Sequence, residues 1–306
     1  MPWTSANLTA TELTRLAADL PILGYRNALQ TSIADPIWNV SGDGVDPDTT
    51  EPFFPGARAY DDAGYLLTRP QEETGPITHC LIFQLSAATF DHAAILGHNF
   101  DLLSQSGVSF EIRLEIANDL SFTSNNQIIY RWTTGLTRRL ASFGLDHATG
   151  TFQRYSAVDF ARIVIVYNAT SPAPPPQLAE IFLGIRTALP NRPETPVDES
   201  QLESQIDVLE TDFGPERLTS IYTGRLAFGP RWRPDSTVYA DQFRTWFAGT
   251  SYGLHPFLWA PAPSSSAASC YFARTEPALS VVPISGTEQE VTIPIVEQLP
   301  FVSKEG

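Results

Sequence analysis

CLIFQLSAATFDHAAILGHNF, the stretch from Cys80 to Phe100, decides how the rest of the chain is read. Cys80–Leu85 is a short, almost unbroken apolar run, too short for an independent helix and rich in residues that suit a buried strand. Ser86-Ala87-Ala88-Thr89 reads as a small-residue turn, and Ala93–Gly97 as a second apolar strand ending at His98-Asn99-Phe100. Further along, the chain returns with FARIVIVY at 160–167 and LAEIFLG at 178–184. These four segments are expected to be inner strands of one β-sandwich.

Working outward, VSFEIRLEIA at 108–117 alternates cleanly. Val108, Phe110, Ile112, Leu114 and Ile116 fall on one face; Ser109, Glu111, Arg113 and Glu115 fall on a wet outer face. Leu120–Gln127 is a polar loop, Ile128–Thr133 a short strand, and Leu140–Arg154 is rich in turns. The Pro-rich loop 171–176 cannot enter a sheet ladder. TALPNRPETPVDES at 187–200 marks a linker, which places an N-terminal arm or helix at 1–24, a sandwich at 25–190, a linker at 191–204 and a β-rich unit at 205–306. Thr9 with Glu12 forms a capping box for a helix whose apolar face is Leu13, Leu16, Ala17 and Leu20, closed by Pro21. A second helix spans 238–248, capped by Asp235 or Ser236 and ended by Gly249, with Tyr239, Gln242, Phe243, Trp246 and Phe247 on one face that is aromatic but for Gln242.

Composition narrows the function classes. One Met, 25 Pro and 19 Gly suit a strand-and-turn protein, and 42% hydrophobic residues are ample for packed cores. A formal charge of −15 repels phosphate backbones and anionic bilayers, so neither specific nucleic-acid binding nor membrane docking is expected. No apolar run is long enough to span a bilayer, and the first residues lack the pattern of a secretion signal. Cys80 and Cys270, far apart in apolar contexts, read as buried thiols.

Few residues stand in patterns that carry chemistry. No nucleophile elbow, dinucleotide fingerprint or phosphate loop is present, and no catalytic residue, cofactor site or metal site is assigned. Asp43, Asp46, Asp48 and Glu51 offer hard oxygen ligands but miss the EF-hand order, so the loop at 41–56 reads as solvated. Among His79, His92, His98, His147 and His255 no pair has metal-ligand spacing; His92 and His98 are about 20 Å apart along a strand. The cluster Asp91, His92, His98 and Asn99 therefore reads as strand-end capping. Glu180, embedded in an apolar strand, reads as the buried partner of an arginine. Trp132, Tyr155 and Phe143 are read as loop aromatics that stack on a glycan, fill the sandwich ends or form a subunit interface.

These strand ends carry a resemblance. AILGHNF, VSFEIRLEIA, FARIVIVY and AEIFLG, in that order, are similar to discoidin-type, galactose-binding-like sandwich domains, and in particular to those in tail-tip (distal or minor tail) proteins of long-tailed bacteriophages. GRLAFGPRWRPD and HPFLWAPAP look like the β-rich partner domain of such proteins. The resemblance implies a mainly β protein: an antiparallel jelly-roll sandwich followed by a smaller β-rich domain with one helix. It also implies a non-enzymatic structural component of a virion baseplate. Such a component is made in the bacterial cytoplasm, forms a ring-like homo-oligomer, and joins the tail tube to hub, tape-measure or receptor-binding proteins. The alternative is a carbohydrate-binding module on the virion that grips host surface glycan.

Overall fold

The computed structural model of the chain describes residues 2–18, 20–40, 48–50, 52, 55–59, 68–71, 76–100, 109–132, 140–143, 153–168, 175–189, 191–194, 202–211, 214–233, 237–260, 271–275, 279–285 and 288–297. Along the first half run β1 (Thr4–Asn7), helix α1 (Ala10–Ala17), β2 (Ile22–Tyr25), β3 (Ile37–Asn39), β4 (Pro76–Phe90) and β5 (His92–Leu96). They are followed by β6 (Ser109–Ala117), β7 (Gln127–Trp132), β8 (Leu140–Phe143), β9 (Gln153–Asn168) and β10 (Glu180–Ala188). The second half holds β11 (Leu202–Thr211), β12 (Gly214–Phe228), β13 (Arg231–Trp232), helix α2 (Thr237–Gly249), β14 (Phe257–Ala260), β15 (Tyr271–Thr275), β16 (Ser280–Ser285), β17 (Glu288–Thr292) and β18 (Ile295–Glu297).

The chain is mainly β, and its strands form an antiparallel sandwich. One sheet has the order β3-β4-β9-β6-β7, with β1 also paired to β9. Its inward residues, among them Leu81, Phe83, Ile112, Leu114, Ile163 and Ile165, meet Ala93, Ile95, Ile181 and Leu183 of the facing sheet. Each Leu, Ile or Phe among them contributes about 1.5–3 kcal/mol when fully buried. Trp38 fills the same core and donates its indole N–H to Thr68 Oγ1 at 2.9 Å, which removes the cost of burying that group.

The opening stretch folds differently at one place. The strand does not turn at Ser86–Thr89; β4 continues to Phe90 through a register shift between Gln84 and Ala88. Ala87 takes a left-handed φ of 46° there and donates its N–H to Asp159 Oδ1. Small side chains permit this bulge, which is why the sequence resembles a turn. The reversal comes at Asp91, where the chain leaves the first sheet and enters the second as β5, paired with β10 from Leu96↔Glu180 to His92↔Gly184. Gly97 then turns out of β5 with φ +60°, and a Cβ there would lie 2.4 Å from the Cβ of Ala179. Leu140–Phe143, expected within a turn-rich segment, is β8 on the edge beside β5.

The facing sheet is long, in the order β11-β12-β18-β15-β14-β2-β10-β5-β8. Leu258 pairs with Gly24, and Gly24 pairs with Arg186, so the ladder crosses the boundary that composition sets at 191–204. β2, expected inside the N-terminal arm, is the middle strand of this join. Alternation does the layering. Leu23, Tyr25, Phe257 and Trp259 face a core closed by Phe243 and Trp246 of α2. Ile22, Phe182, Leu258 and Ala260 face the opposite layer, which α1 covers with Leu16. The α1 capping box is present, with Thr9 Oγ1 accepting from the Glu12 N–H and Glu12 Oε2 accepting from the Thr9 N–H. Its apolar face is narrower than expected: Leu16 is buried, but Leu13 is 37% exposed. Asp235 and Ser236, expected to cap α2, lie outside the described residues.

Glu115 departs from the wet face expected of its strand. It is buried, accepts from Nε and Nη2 of Arg162 at 2.8 and 2.6 Å, and lies beneath a guanidinium stacked 4.1 Å from the Phe122 ring centroid. The loop at 118–126 folds over this face, something alternation within one strand cannot show.

Candidate functional site

Tyr155 is not a loop aromatic. It sits in β9, is 4% exposed, and packs between Phe90 and Trp3, each with its ring centroid 5.9 Å away. Trp132 and Phe143 also lie in strands, opposite Ile112 and Ala93. Their side chains are outside the described residues, and backbone position alone brings the three to no common site.

The residue beside Tyr155 leads to the site. Strand alternation sends Arg154 the other way, out of the core and towards α1. Its Nε donates to Asp91 Oδ2 at 2.8 Å, and its Nη2 reaches Asp91 Oδ2 at 2.7 Å and Glu12 Oε1 at 2.9 Å. Asp91 Oδ1 accepts the backbone N–H of Arg186 at 2.8 Å and lies 3.8 Å from that residue's Nε. Asp91 thus stands at the corner between the two sheets and holds an arginine from each. The sequence reading of Asp91 as strand-end capping missed this, because its partners lie far along the chain. His98 fits the capping expectation better, accepting the Phe100 N–H at 3.3 Å on Nδ1. Asn99 does more, clamping Pro175 O and Gln177 N.

Around Arg154 and Arg186 opens a cleft of about 520 Å3. α1 supplies Glu12 and Arg15, three residues apart on one helical face. β10 supplies Arg186 and Thr187, and α2 supplies Gln242 and Thr245 from the far wall. Arg15 Nη1 donates to Ala188 O at 2.9 Å and to Gln242 Oε1 at 3.1 Å, and its guanidinium stacks 5.1 Å from the Tyr239 ring centroid. The two helices therefore meet across the cleft through one arginine.

The charges are held firmly. Burial works to raise the Glu12 carboxyl, but hydrogen bonds from Thr9 and the Arg154 guanidinium outweigh it and keep the group below the usual range. Burial pushes the Asp91 carboxyl up, against the pull of Arg186 and Arg154. Burial also lowers Arg186 to about 10, with Asp91 opposing and Arg154 adding to the shift. Both members of the Asp91–Arg186 pair thus report that leaving water costs more than their attraction returns, as is common for enclosed ion pairs. The two guanidiniums within 3.8 Å of Asp91 oppose that rise by favouring its ionised form.

Among the described residues no group of three or more His, Cys, Asp or Glu is placed to hold a metal ion. Asp48 accepts the Thr50 N–H at 2.8 Å, while Asp43, Asp46 and Glu51 lie outside the described residues. Cys80 is buried and in no disulfide, and Cys270 and His147 are outside the described residues. Glu180 is fully buried in β10, opposite Leu96. His255 meets Gln30 at 3.2 Å.

No protein-family model and no curated protein matches the chain. Among solved structures it is similar to the CBM32-4 module of a GH89 protein from Clostridium perfringens, at 13% identity and a TM-score of 0.34, over 52% of this chain and 99% of that one. It is also similar to a Streptococcus pneumoniae fucose binding module, at 15% identity and a TM-score of 0.32, over 52% and 96%. A Ruminococcus gnavus GH29 fucosidase matches at 11% identity and a TM-score of 0.33; the match covers 53% of this chain and only 27% of the fucosidase.

Proposed function

We propose that this chain is a non-catalytic glycan-binding protein and that the cleft between α1, β9, β10 and α2 receives the sugar. The observation that carries this reading is the wall chemistry of the 520 Å3 cleft. Guanidinium, carboxylate, amide and hydroxyl groups face it, several of them fixed by hydrogen bonds to one another. The volume lies in the range of small-molecule sites, and planar polar groups of fixed orientation are complementary to the hydroxyls of a pyranose.

Binding suits the site better than hydrolysis. Among the acids at the cleft, Glu12 and the buried Asp91 behind it both accept from Arg154, and Asp241 pairs with Arg244, so each carboxylate is engaged by an arginine. A general acid at neutral pH needs a raised carboxyl, and Glu12 is held low.

The test is retention of the full chain on an immobilised glycan panel, repeated with Gln242→Ala and Trp132→Ala. Gln242→Ala removes a cleft amide and one of the two acceptors of Arg15, and is expected to weaken binding about tenfold, the worth of one hydrogen bond near a charge. Trp132→Ala is expected to leave binding unchanged. Loss of binding with Trp132→Ala alone moves the site to the other end of the sandwich and contradicts the assignment.

A second reading, assembly into a tail-tip ring, is favoured by one feature. β11 and β12 pair with each other from Leu202↔Leu226 to Thr211↔Gly214, whereas β12 meets β18 only at Ala227 and Phe228. Among the described residues most of this ribbon has no third strand, and two-stranded hairpins are marginal alone in water. Assembly would give the ribbon a partner. Native mass spectrometry of the full chain then shows a closed homo-oligomer, which deletion of 205–222 reduces to monomer. A monomer at high concentration removes this reading.

A further inference from the structure

The cleft carries the opposite sign to the molecule around it. The chain has a formal charge of −15. Inside the cleft and its supporting corner stand the cations Arg15, Arg154 and Arg186 against the carboxylates Glu12 and Asp91. Asp241, on the rim, is engaged by Arg244 within α2 and adds no net charge with it. One guanidinium is left over, and its identity can be read from the contacts. Arg154 and Arg186 are tied to Asp91, and Arg154 also to Glu12. Arg15 touches only neutral groups, the Ala188 carbonyl, the Gln242 amide and the Tyr239 ring, and among the described residues it forms no ion pair.

The position of Arg15 is also built rather than incidental. Its Nη1 is fixed from two sides and its plane rests on an aromatic ring, so little side-chain entropy remains to be lost when a ligand arrives. A guanidinium with one nitrogen anchored still offers its other edge, whose paired N–H groups match the two oxygens of a carboxylate. Low-dielectric walls concentrate the field of such a charge on whatever enters.

Resting on the reading of the cleft as a glycan site, we infer that its ligand is an acidic sugar, a glycan unit bearing a single carboxylate, taken by Arg15 with Arg154 alongside. An excess of one positive charge matches a monoanion; a phosphate dianion would leave the cleft net negative.

Calorimetric titration of the full chain with an oligogalacturonate, a neutral galacto-oligosaccharide of equal length and galactose 6-phosphate tests this. The uronate is expected to bind about tenfold tighter than the neutral sugar at low ionic strength, with the difference shrinking as salt is added. Arg15→Gln is expected to bring the uronate down to the level of the neutral sugar. Arg15→Lys, which keeps the charge and replaces the planar fork, is expected to retain the salt dependence while losing most of the preference; it serves if Arg15→Gln fails to fold. Equal binding of acidic and neutral sugars overturns the acidic assignment and leaves the glycan reading standing. Tighter binding of the phosphate overturns the carboxylate. No binding of any of the three overturns both readings.

Discussion

Asp91→Ala is expected to destabilise the fold by about 3–5 kcal/mol, read as a drop in the denaturant midpoint with little change in slope. The carboxylate is buried at the point where the chain passes from one sheet to the other. It accepts from Arg154 of β9 and from the backbone of Arg186 of β10, and lies 3.8 Å from the Arg186 guanidinium. Alanine leaves Arg186, itself buried, without this countercharge and Arg154 with Glu12 as its carboxylate partner. The cost comes from the charge left behind, because the intact pair returns little net energy. Asp91→Ala combined with Arg186→Met is therefore expected to recover a substantial part of the loss. A single mutant within about 1 kcal/mol of the parent contradicts the corner role.

Acid is expected to weaken the protein well above the range in which surface carboxylates titrate. Burial lowers His79 to about 4, and burial with the neighbouring Arg186 charge lowers His92 to about 3. In the unfolded chain both return to about 6.5. Above that value neither state holds these protons, and the contribution to stability is complete. Below it, down to the folded-state values, the unfolded chain binds protons that the folded chain refuses, so stability falls with falling pH. Each histidine contributes on the order of 1 kcal/mol per pH unit, hence roughly 3–5 kcal/mol between pH 6.5 and 4.5. The lowered Glu12 carboxyl adds to the acid loss and the raised Asp91 carboxyl opposes it. Urea unfolding across that interval checks this, and His92→Asn is expected to reduce the slope by about half. A flat profile from pH 6.5 to 4.5 is inconsistent with neutral, enclosed imidazoles.

How much of this was legible depends on how local each signal is. Strands read well, because period-two alternation and short apolar runs are written within a few residues, as in Ser109–Ala117 and in the apolar stretches within β4 and β9. The α1 capping box read well for the same reason, with donor and acceptor three residues apart. The bulge at Ala87 did not, since its small residues have the composition of a turn and only the distant Asp159 shows that the strand continues. Glu115 was assigned to solvent by an alternation that cannot see a loop folding over it.

The cleft was hidden for a stronger version of this reason. Arg154 meets Glu12 across 142 residues, and Arg15 meets Gln242 across 227. Tyr155 drew notice as an aromatic, while the neighbour pointing the opposite way from the same strand carries the interaction. Aromatic side chains announce themselves by type; an arginine among 19 basic residues becomes distinctive only when its partners are known.

The cleft between the two helices is proposed to bind an acidic sugar. A crystal structure of the full chain grown with an oligogalacturonate tests it most directly. The expected result is a sugar carboxylate in the cleft within hydrogen-bonding distance of the Arg15 guanidinium, with ring hydroxyls against Gln242 and Thr245. An ordered sugar at the opposite end of the sandwich, beside Trp132, with the cleft holding only solvent, would contradict it.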